Sequence, residues 1–179
     1  MNYLRPYHFI SNYNKKELES LNNKINIIYR NYKDPIKESV IIKVKSECQK
    51  SRKKLFLSNN IKMAIKLKLD GVYIPSFNKS LNLKFKTNKH FQVLGSAHNL
   101  KEIRIKEKQG IDKIFLSPIF KVNKKKHYFD IHKFKKLSKL TKKKIVALGG
   151  INEKNIKRIK LLNCDGFAAI KYFRKNKIG

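Results

Sequence analysis

Eight short runs of apolar residues recur along this chain, and their spacing limits the folds that it can adopt. The runs are rich in Ile, Val, Phe and Tyr, and most are followed by an amphipathic stretch of helical length. Strands buried on both faces give continuous apolar runs of this kind, and a helix between successive strands lets them pair in parallel. The runs span residues 7–11, 25–30, 54–58, 71–76, 91–98, 113–120, 144–150 and 166–173.

Eight strands joined mainly by helices predict an α/β protein with the (β/α)8, or TIM-barrel, architecture. An open, doubly wound sheet is the alternative. No GxGxxG motif follows any of the runs, which disfavours a dinucleotide site. The 179 residues suit a single domain, residues 1–179, with enough length for a sizeable core.

The barrel is expected to be short. The connection after the fourth run leaves little room for a helix, and only RKNKIG follows the eighth run, so the final outer helix is predicted to be absent. Part of the barrel wall would then be bare, or covered by a partner subunit in a homodimer. Elsewhere, Asp34 and Pro35 predict the start of a helix that runs to about Arg52, and Asn99 and Gly110 bound another. The segment NEKNIKRIKLLN predicts a further helix after the seventh run.

The net charge of +32 has two explanations. One is nucleic-acid binding, because a strongly basic surface attracts phosphates. The other is compositional drift, because lysine, asparagine and isoleucine are abundant and the lysines are spread along the whole chain, as an A/T-rich coding sequence would leave them. No zinc finger, RNP-type aromatic strand or basic leucine zipper is present, so the second explanation, with anionic small ligands, is favoured.

Three patterns bear on the expected location. No run approaches 18 apolar residues, so no membrane-spanning helix is expected. The first residues lack the apolar core and small-residue cleavage site of a signal peptide. Cys48 and Cys164 stand apart, without CxxC spacing or partner histidines, which disfavours a zinc site and indicates a reducing compartment. The expected location is therefore cytoplasmic.

In a (β/α)8 barrel the functional side chains lie at the C-terminal ends of the strands. Applied to the eight runs, this rule selects a polar rim with little negative charge. His98 in this rim could donate, accept or shuttle a proton, or support other groups by hydrogen bonding. The selected residues include Arg30, Asn59, Asn78, Ser96, His98, Gly149, Gly150 and Lys171.

Two adjacent glycines end the seventh run, in a chain otherwise crowded with lysine. Phosphate at such barrels often binds beyond strands seven and eight, on backbone N–H groups. A side chain at Gly149 or Gly150 would hold an anion away from those amides, and Lys171 could add a positive charge. The pair therefore predicts a phosphate site, with a plain strand-to-helix turn as the alternative. The basic loop 121–127, which contains Lys125, is either a solvated surface loop or a clamp over a second anion such as a diphosphate.

The fragments GSAHNLKEI, LSPIF, VALGGINEKNI and CDGFAAIKYF follow one another within residues 91–173. In order and spacing they resemble the fifth- to eighth-strand motifs of the thiamine phosphate synthase and thiazole tautomerase superfamily. The first half resembles it more weakly, through IIYR, LFLSNN and LDGVYIPS. The resemblance implies a (β/α)8 barrel that acts in thiamin biosynthesis. In the synthase, hydroxymethylpyrimidine diphosphate loses its diphosphate with the help of Mg²⁺, and the nitrogen of thiazole phosphate attacks the pyrimidine methylene.

The resemblance also implies roles for individual positions. Arg30 matches the arginine that contacts the diphosphate, and Ser96 matches a serine near the reacting groups. Gly149 and Gly150 match the glycines that hold the thiazole phosphate, and Lys125 approximately matches a lysine in the loop after strand six. The implied ligands are a phosphorylated thiazole and a pyrimidine diphosphate. We therefore expect catalytic roles for Arg30, Ser96 and His98, and phosphate or substrate contacts for Asn59, Lys125, Gly149, Gly150 and Lys171.

Several positions depart from the synthase pattern. The two aspartates that bind Mg²⁺ in the synthase correspond to Asn59 and Asn78, and neutral amides are poorer ligands than carboxylates for this hard ion. Ile28 and Tyr32 stand where the synthase has glutamine and lysine, and Pro118 stands where the tautomerase has its catalytic histidine. The resemblance therefore implies a divergent synthase with a weakened Mg²⁺ site. The alternative is a non-catalytic or tautomerase-like barrel that binds thiazole phosphate.

Overall fold

The computed structural model describes residues 4–83, 90–122, 127–170 and 172–173. Eight parallel strands form a closed barrel in which each strand pairs with the next along the chain and the last pairs with the first. The predicted (β/α)8 architecture is thereby confirmed, and the open sheet is wrong. The strands are β1 (Arg5–Ile10), β2 (Asn26–Tyr29), β3 (Leu55–Ser58), β4 (Gly71–Ile74), β5 (Gln92–Ala97), β6 (Lys113–Leu116), β7 (Lys144–Leu148) and β8 (Gly166–Ala169).

Short helices occupy most of the connections. Asparagine side chains cap three of them, each accepting a hydrogen bond from the backbone N–H three residues later. Asn99 is one of these caps and Gly110, with φ +74°, follows the same helix, so the predicted ends of that helix are confirmed. The α-helices are α1 (Lys15–Ser20), α2 (Glu38–Lys50), α3 (Ile61–Lys66), α4 (Leu100–Lys108) and α5 (Asp130–Ser138).

Two helix predictions are wrong in detail. The helix α2 begins at Glu38 rather than at Pro35, because the side-chain oxygen of Asn31 accepts hydrogen bonds from the N–H groups of Lys33 and Asp34 and turns the chain first. The segment after β7 forms a 3₁₀-helix, Ile156–Leu161, in place of the expected longer helix.

The apolar core has two parts. Inside the barrel, large rings from β1, β4 and β6 meet edge to face, and Phe56 of β3 packs at a tilt against Tyr7, so the interior is filled rather than open. The second part lies between the barrel and the helices. His8, on the outer side of β1, is fully buried there, and its ring is hydrogen-bonded to Glu17 of α1 and to the carbonyl of Ala169. The interior residues are Tyr7, Phe9, Ile28, Phe56, Tyr73, Leu94, Phe115, Val146 and Ala168.

Two gaps were expected in the outer layer of helices, one after β4 and one after β8. Between β4 and β5, residues 75–83 and 90–91 contain no helix. After β8, Tyr172 and Phe173 are helical and residues 174–179 lie outside the described residues, so the absence of a final outer helix stays a prediction. Within the described part of the chain, no helix combines the length and apolar character needed to cross a bilayer.

Candidate functional site

The ends of β2 and β3 bring a cation and two hydroxyl groups together at the mouth of the barrel. The guanidinium carbon of Arg30 lies 4.4 Å from the centroid of the Phe9 ring, which holds the cation over the barrel interior. The hydroxyl groups of Tyr32 and Ser58 share a hydrogen bond of 2.8 Å. Burial raises the pKa of Tyr32, so its hydroxyl is protonated at neutral pH and can donate a hydrogen bond.

The loop after β4 completes this corner of the rim. The ring of Phe77 packs edge to face on Tyr32 at a centroid distance of 5.2 Å, yet the two residues remain 60% and 51% exposed. The side-chain N–H2 of Asn78 donates a 2.8 Å hydrogen bond to the side-chain oxygen of Asn59. We call this group, formed by Arg30, Tyr32, Ser58, Asn59, Phe77 and Asn78, the amide corner.

Aromatic rings fill the barrel interior next to Arg30. Tyr73 and Phe115 pack edge to face at a centroid distance of 5.4 Å, and Phe9 contacts both rings. Burial raises the pKa of Tyr73, and its hydrogen bond with Ser96 of β5 only partly opposes that effect. Ser96 is itself buried, so its hydroxyl is held against Tyr73 instead of pointing into open solvent.

The two glycines at the end of β7 lie across the mouth from β3, because the two strands are four positions apart in a closed ring of eight. Both have positive φ, +98° for Gly149 and +70° for Gly150. A Cβ on Gly149 would lie 2.8 Å from the Cα of Pro118, and a Cβ on Gly150 would lie 2.5 Å from the carbonyl oxygen of Phe120. The backbone N–H of Phe120 also donates to the carbonyl of Gly149.

Glycine is therefore required at both positions by backbone packing against the loop after β6, a reason that the sequence did not reveal. The predicted role of this pair in holding a phosphate is compatible with that packing and stays a prediction. Lys125 and Lys171, which were expected to add positive charge on this side, lie outside the described residues.

His98 follows β5, and its ring is turned toward the first turn of α4. Its Nδ1 lies 3.0 Å from a carboxylate oxygen of Glu102, and the same oxygen accepts a hydrogen bond from the His98 backbone N–H. Glu102 also donates its own N–H to the cap residue Asn99. The ring is thus held by the helix cap, as the supporting alternative for this histidine requires; its catalytic role stays a prediction.

Comparison with known proteins assigns this barrel to a family. The family model described as thiamine monophosphate synthase matches residues 18–173. The chain belongs to the thiamine monophosphate synthase family.

Individual members of the family are only distantly similar to the chain. The thiamine-phosphate synthase of Methanococcus vannielii is 28% identical over 118 residues, 64% of this chain and 57% of that protein. The chain thus spans little more than half the length of that relative. A putative thiamine-phosphate synthase 2 of Aquifex aeolicus is 29% identical over 144 residues, 77% of each protein. The solved thiamine phosphate pyrophosphorylase of Pyrococcus furiosus shares the fold, with a TM-score of 0.79 at 18% identity over 98% of this chain and 93% of that one.

The family uses Mg²⁺, and the amide corner does not fit that ion. Mg²⁺ binds oxygen ligands and is usually held by one or two carboxylates. Asn59 and Asn78 offer amides, and their mutual hydrogen bond occupies the Asn59 oxygen with an N–H donor. No cluster of three or more His, Cys, Asp or Glu side chains occurs among the described residues.

One buried residue near the amide corner was missed by the sequence analysis. Lys106 lies on the inward face of α4, is 0% exposed, and donates hydrogen bonds to the carbonyls of Pro75 and Asn78. Its position three residues after the buried Ile103 is the available signal, because a lysine on the apolar face of an amphipathic helix needs polar partners inside the protein.

Proposed function

We propose that this chain binds thiazole phosphate at the glycine pair of β7 and couples it to hydroxymethylpyrimidine diphosphate, giving thiamine phosphate and diphosphate. The observation that carries the proposal is the position of Gly149 and Gly150. Two consecutive positive-φ glycines end the seventh strand of a closed eight-stranded barrel, where barrels of this class often bind phosphate. Membership of the thiamine monophosphate synthase family supports the choice of ligands.

In the proposed reaction, the bond between the pyrimidine methylene and the diphosphate oxygen breaks, and its electron pair leaves with the diphosphate. The lone pair of the thiazole nitrogen then forms the new C–N bond to the methylene. Arg30 is suited to the leaving group, because a guanidinium offers several donors to phosphate oxygens and here stacks on Phe9. The almost fully buried rings of Phe9, Tyr73 and Phe115 close the barrel interior next to Arg30, so water cannot reach the methylene carbon from inside the barrel.

A second candidate function is a barrel that binds thiazole phosphate without catalysis. The pairing of Asn59 with Asn78 favours it, because the two positions that carry carboxylates in the synthase are here neutral and bonded to each other. In this case the glycine pair of β7 would still bind thiazole phosphate, while the amide corner would no longer support release of diphosphate.

The two functions are separated by incubating the purified chain with both substrates, with and without Mg²⁺, and measuring thiamine phosphate. Formation of product supports the synthase. Tight binding of thiazole phosphate by calorimetry without product under any metal condition supports the binding protein, and the absence of both contradicts the two proposals together.

A variant pair tests the proposed phosphate site at the glycine pair of β7. Lys171→Met should weaken thiazole phosphate binding by about tenfold, since hydrogen bonds to charged groups contribute about 1.5–3 kcal/mol. Lys160→Met, at an exposed lysine of the 3₁₀-helix after β7, is the matched control and should bind normally. Equal affinities of the two variants would remove Lys171 from the site.

A further inference from the structure

The loop 75–80, which contributes Phe77 and Asn78 to the amide corner, is held in place by a buried cation. The ammonium of Lys106 donates to the backbone carbonyls of Pro75 and Asn78, both at 2.9 Å. It also donates to the side-chain oxygen of Gln109 at 2.8 Å, and the N–H2 of Gln109 donates to the carbonyls of Asn78 and Ser80. The loop 75–80 is therefore held by two side chains of the α4 segment that share the Asn78 carbonyl.

All of these acceptors are neutral. The three hydrogen-bond partners described for Lys106 are two backbone carbonyls and one amide oxygen, so no carboxylate hydrogen-bonds to it there. Burial lowers the pKa of Lys106 to about 8, an effect opposed by Glu102, and the side chain is therefore still largely protonated at pH 7. The corner accordingly contains a fixed positive charge directly bonded to the backbone of Asn78.

This arrangement uses the oxygen atoms that a metal ion would need. The side-chain oxygen of Asn59 accepts from Asn78, and the carbonyls of Pro75 and Asn78 accept from Lys106. A divalent cation would have to displace an N–H donor to reach the Asn59 oxygen. It would then lie near the like charge of Lys106, which three hydrogen bonds hold in place.

We propose that Lys106 and the Asn59–Asn78 pair exclude divalent cations from the amide corner, which instead recognises phosphate oxygens through N–H donors without Mg²⁺. Arg30 and the side-chain N–H2 groups are the available donors, and inorganic diphosphate is the simplest ligand of this class. The inference rests on the proposed function only for the choice of a diphosphate. Cation exclusion is a property of the free protein and does not require turnover.

Mn²⁺ titration followed by electron paramagnetic resonance tests the exclusion without substrate. The wild-type chain should bind no Mn²⁺ at this corner up to about 1 mM, the weak end of functional divalent-cation sites. Asn59→Asp combined with Asn78→Asp supplies the carboxylates but retains the buried ammonium, so binding should be weak. Adding Lys106→Met should tighten Mn²⁺ binding by about tenfold or more, because one like charge is removed.

Lys108→Met in the same double-aspartate background is the matched control, since Lys108 is exposed on the same helix and should leave the Mn²⁺ affinity unchanged. If Lys106→Met fails to unfold cooperatively, Lys106→Gln removes the charge and keeps one hydrogen-bonding group. The proposal would be overturned if the wild-type chain bound Mn²⁺ with a dissociation constant below about 1 mM and Asn59→Ala abolished that binding. A folded triple variant that binds no tighter than the double variant would also overturn it.

Calorimetry with inorganic diphosphate tests the second part of the proposal, the recognition of phosphate oxygens without Mg²⁺. Affinity should be no tighter in Mg²⁺ than in EDTA, because Mg²⁺ binds diphosphate in solution and the amide corner excludes the ion. Arg30→Ala should weaken the affinity about tenfold, as expected for loss of a charge-assisted contact. Binding that requires Mg²⁺, or no binding in either condition, would contradict metal-free recognition. Because neither titration measures thiamine phosphate, an inactive protein could still satisfy both, which keeps this inference distinguishable from the proposed function.

Discussion

The substitution Gly150→Ala tests whether the glycine pair of β7 is required for packing or for ligand access. Gly150 has φ +70°, and a Cβ there would lie 2.5 Å from the carbonyl oxygen of Phe120 and 2.7 Å from that of Lys121. Gly110 provides the matched control, because its φ is +74° and no heavy atom lies within 4 Å of a Cβ at that position. The two substitutions share a left-handed backbone and differ in steric overlap.

The expected loss in the free energy of unfolding follows from the backbone conformation and from the steric overlap. The left-handed backbone disfavours alanine by about 1 kcal/mol, which is the whole expected loss in the free energy of unfolding for Gly110→Ala. Gly150→Ala adds overlap with two backbone oxygens that cannot rotate away, and overpacking of this kind costs about 1–3 kcal/mol. We therefore expect Gly150→Ala to be less stable than Gly110→Ala by about 2 kcal/mol. For a chain of this size, that difference lowers the melting temperature by about 4–8 °C.

Urea denaturation followed by far-UV circular dichroism gives both free energies, and calorimetry gives the affinity of each variant for thiazole phosphate. The packing argument predicts the stability difference whether or not the ligand binds. If Gly150→Ala is as stable as Gly110→Ala but loses thiazole phosphate binding, Gly150 serves ligand access and the packing argument is refuted.

Two further predictions concern buried lysines. Asp165→Asn should lower the free energy of unfolding in the urea assay by about 3 kcal/mol, because it leaves the buried ammonium of Lys113 without the carboxylate 2.6 Å away. The control Glu38→Gln breaks an exposed pair with Lys66 and should lower that free energy by about 0.5 kcal/mol or less. Equal losses in the two variants would contradict the reasoning. The pKa of Lys106 is lowered to about 8 from an ordinary value of 10.5, so the unfolded chain binds more protons between these values and stability should rise with pH there. Relative to Lys106→Met, the wild type should gain on the order of 2 kcal/mol between pH 7 and pH 10. A difference between the two proteins that does not change with pH would count against a buried charge.

The sequence by itself determined the type and order of the elements. Each apolar run gave a strand, because a strand buried on both faces needs only its own short stretch of apolar residues. Helix boundaries differ from the apolar pattern where side chains compete with the helix backbone for hydrogen bonds. Asn31 and Asn155 both turn the chain through hydrogen bonds to nearby backbone groups, and the helices that follow therefore begin later than the apolar pattern indicates.

The rule that barrel sites lie at strand ends also placed the rim residues from sequence alone, but not the contacts among them. Tyr32 bonds to Ser58 and Asn59 to Asn78 only because the closed barrel brings the ends of β2, β3 and β4 together. The packing reason for the glycines of β7 likewise depends on where the loop after β6 lies.

Lys106 shows most directly which contacts the sequence alone does not identify. Its partners Pro75 and Asn78 are 31 and 28 residues away along the chain, so no local pattern could identify them. Element type follows from a few neighbouring residues and is therefore written in the sequence. The burial of a charge and the identity of its partners depend on which distant segments meet, and that was decided only when the barrel closed.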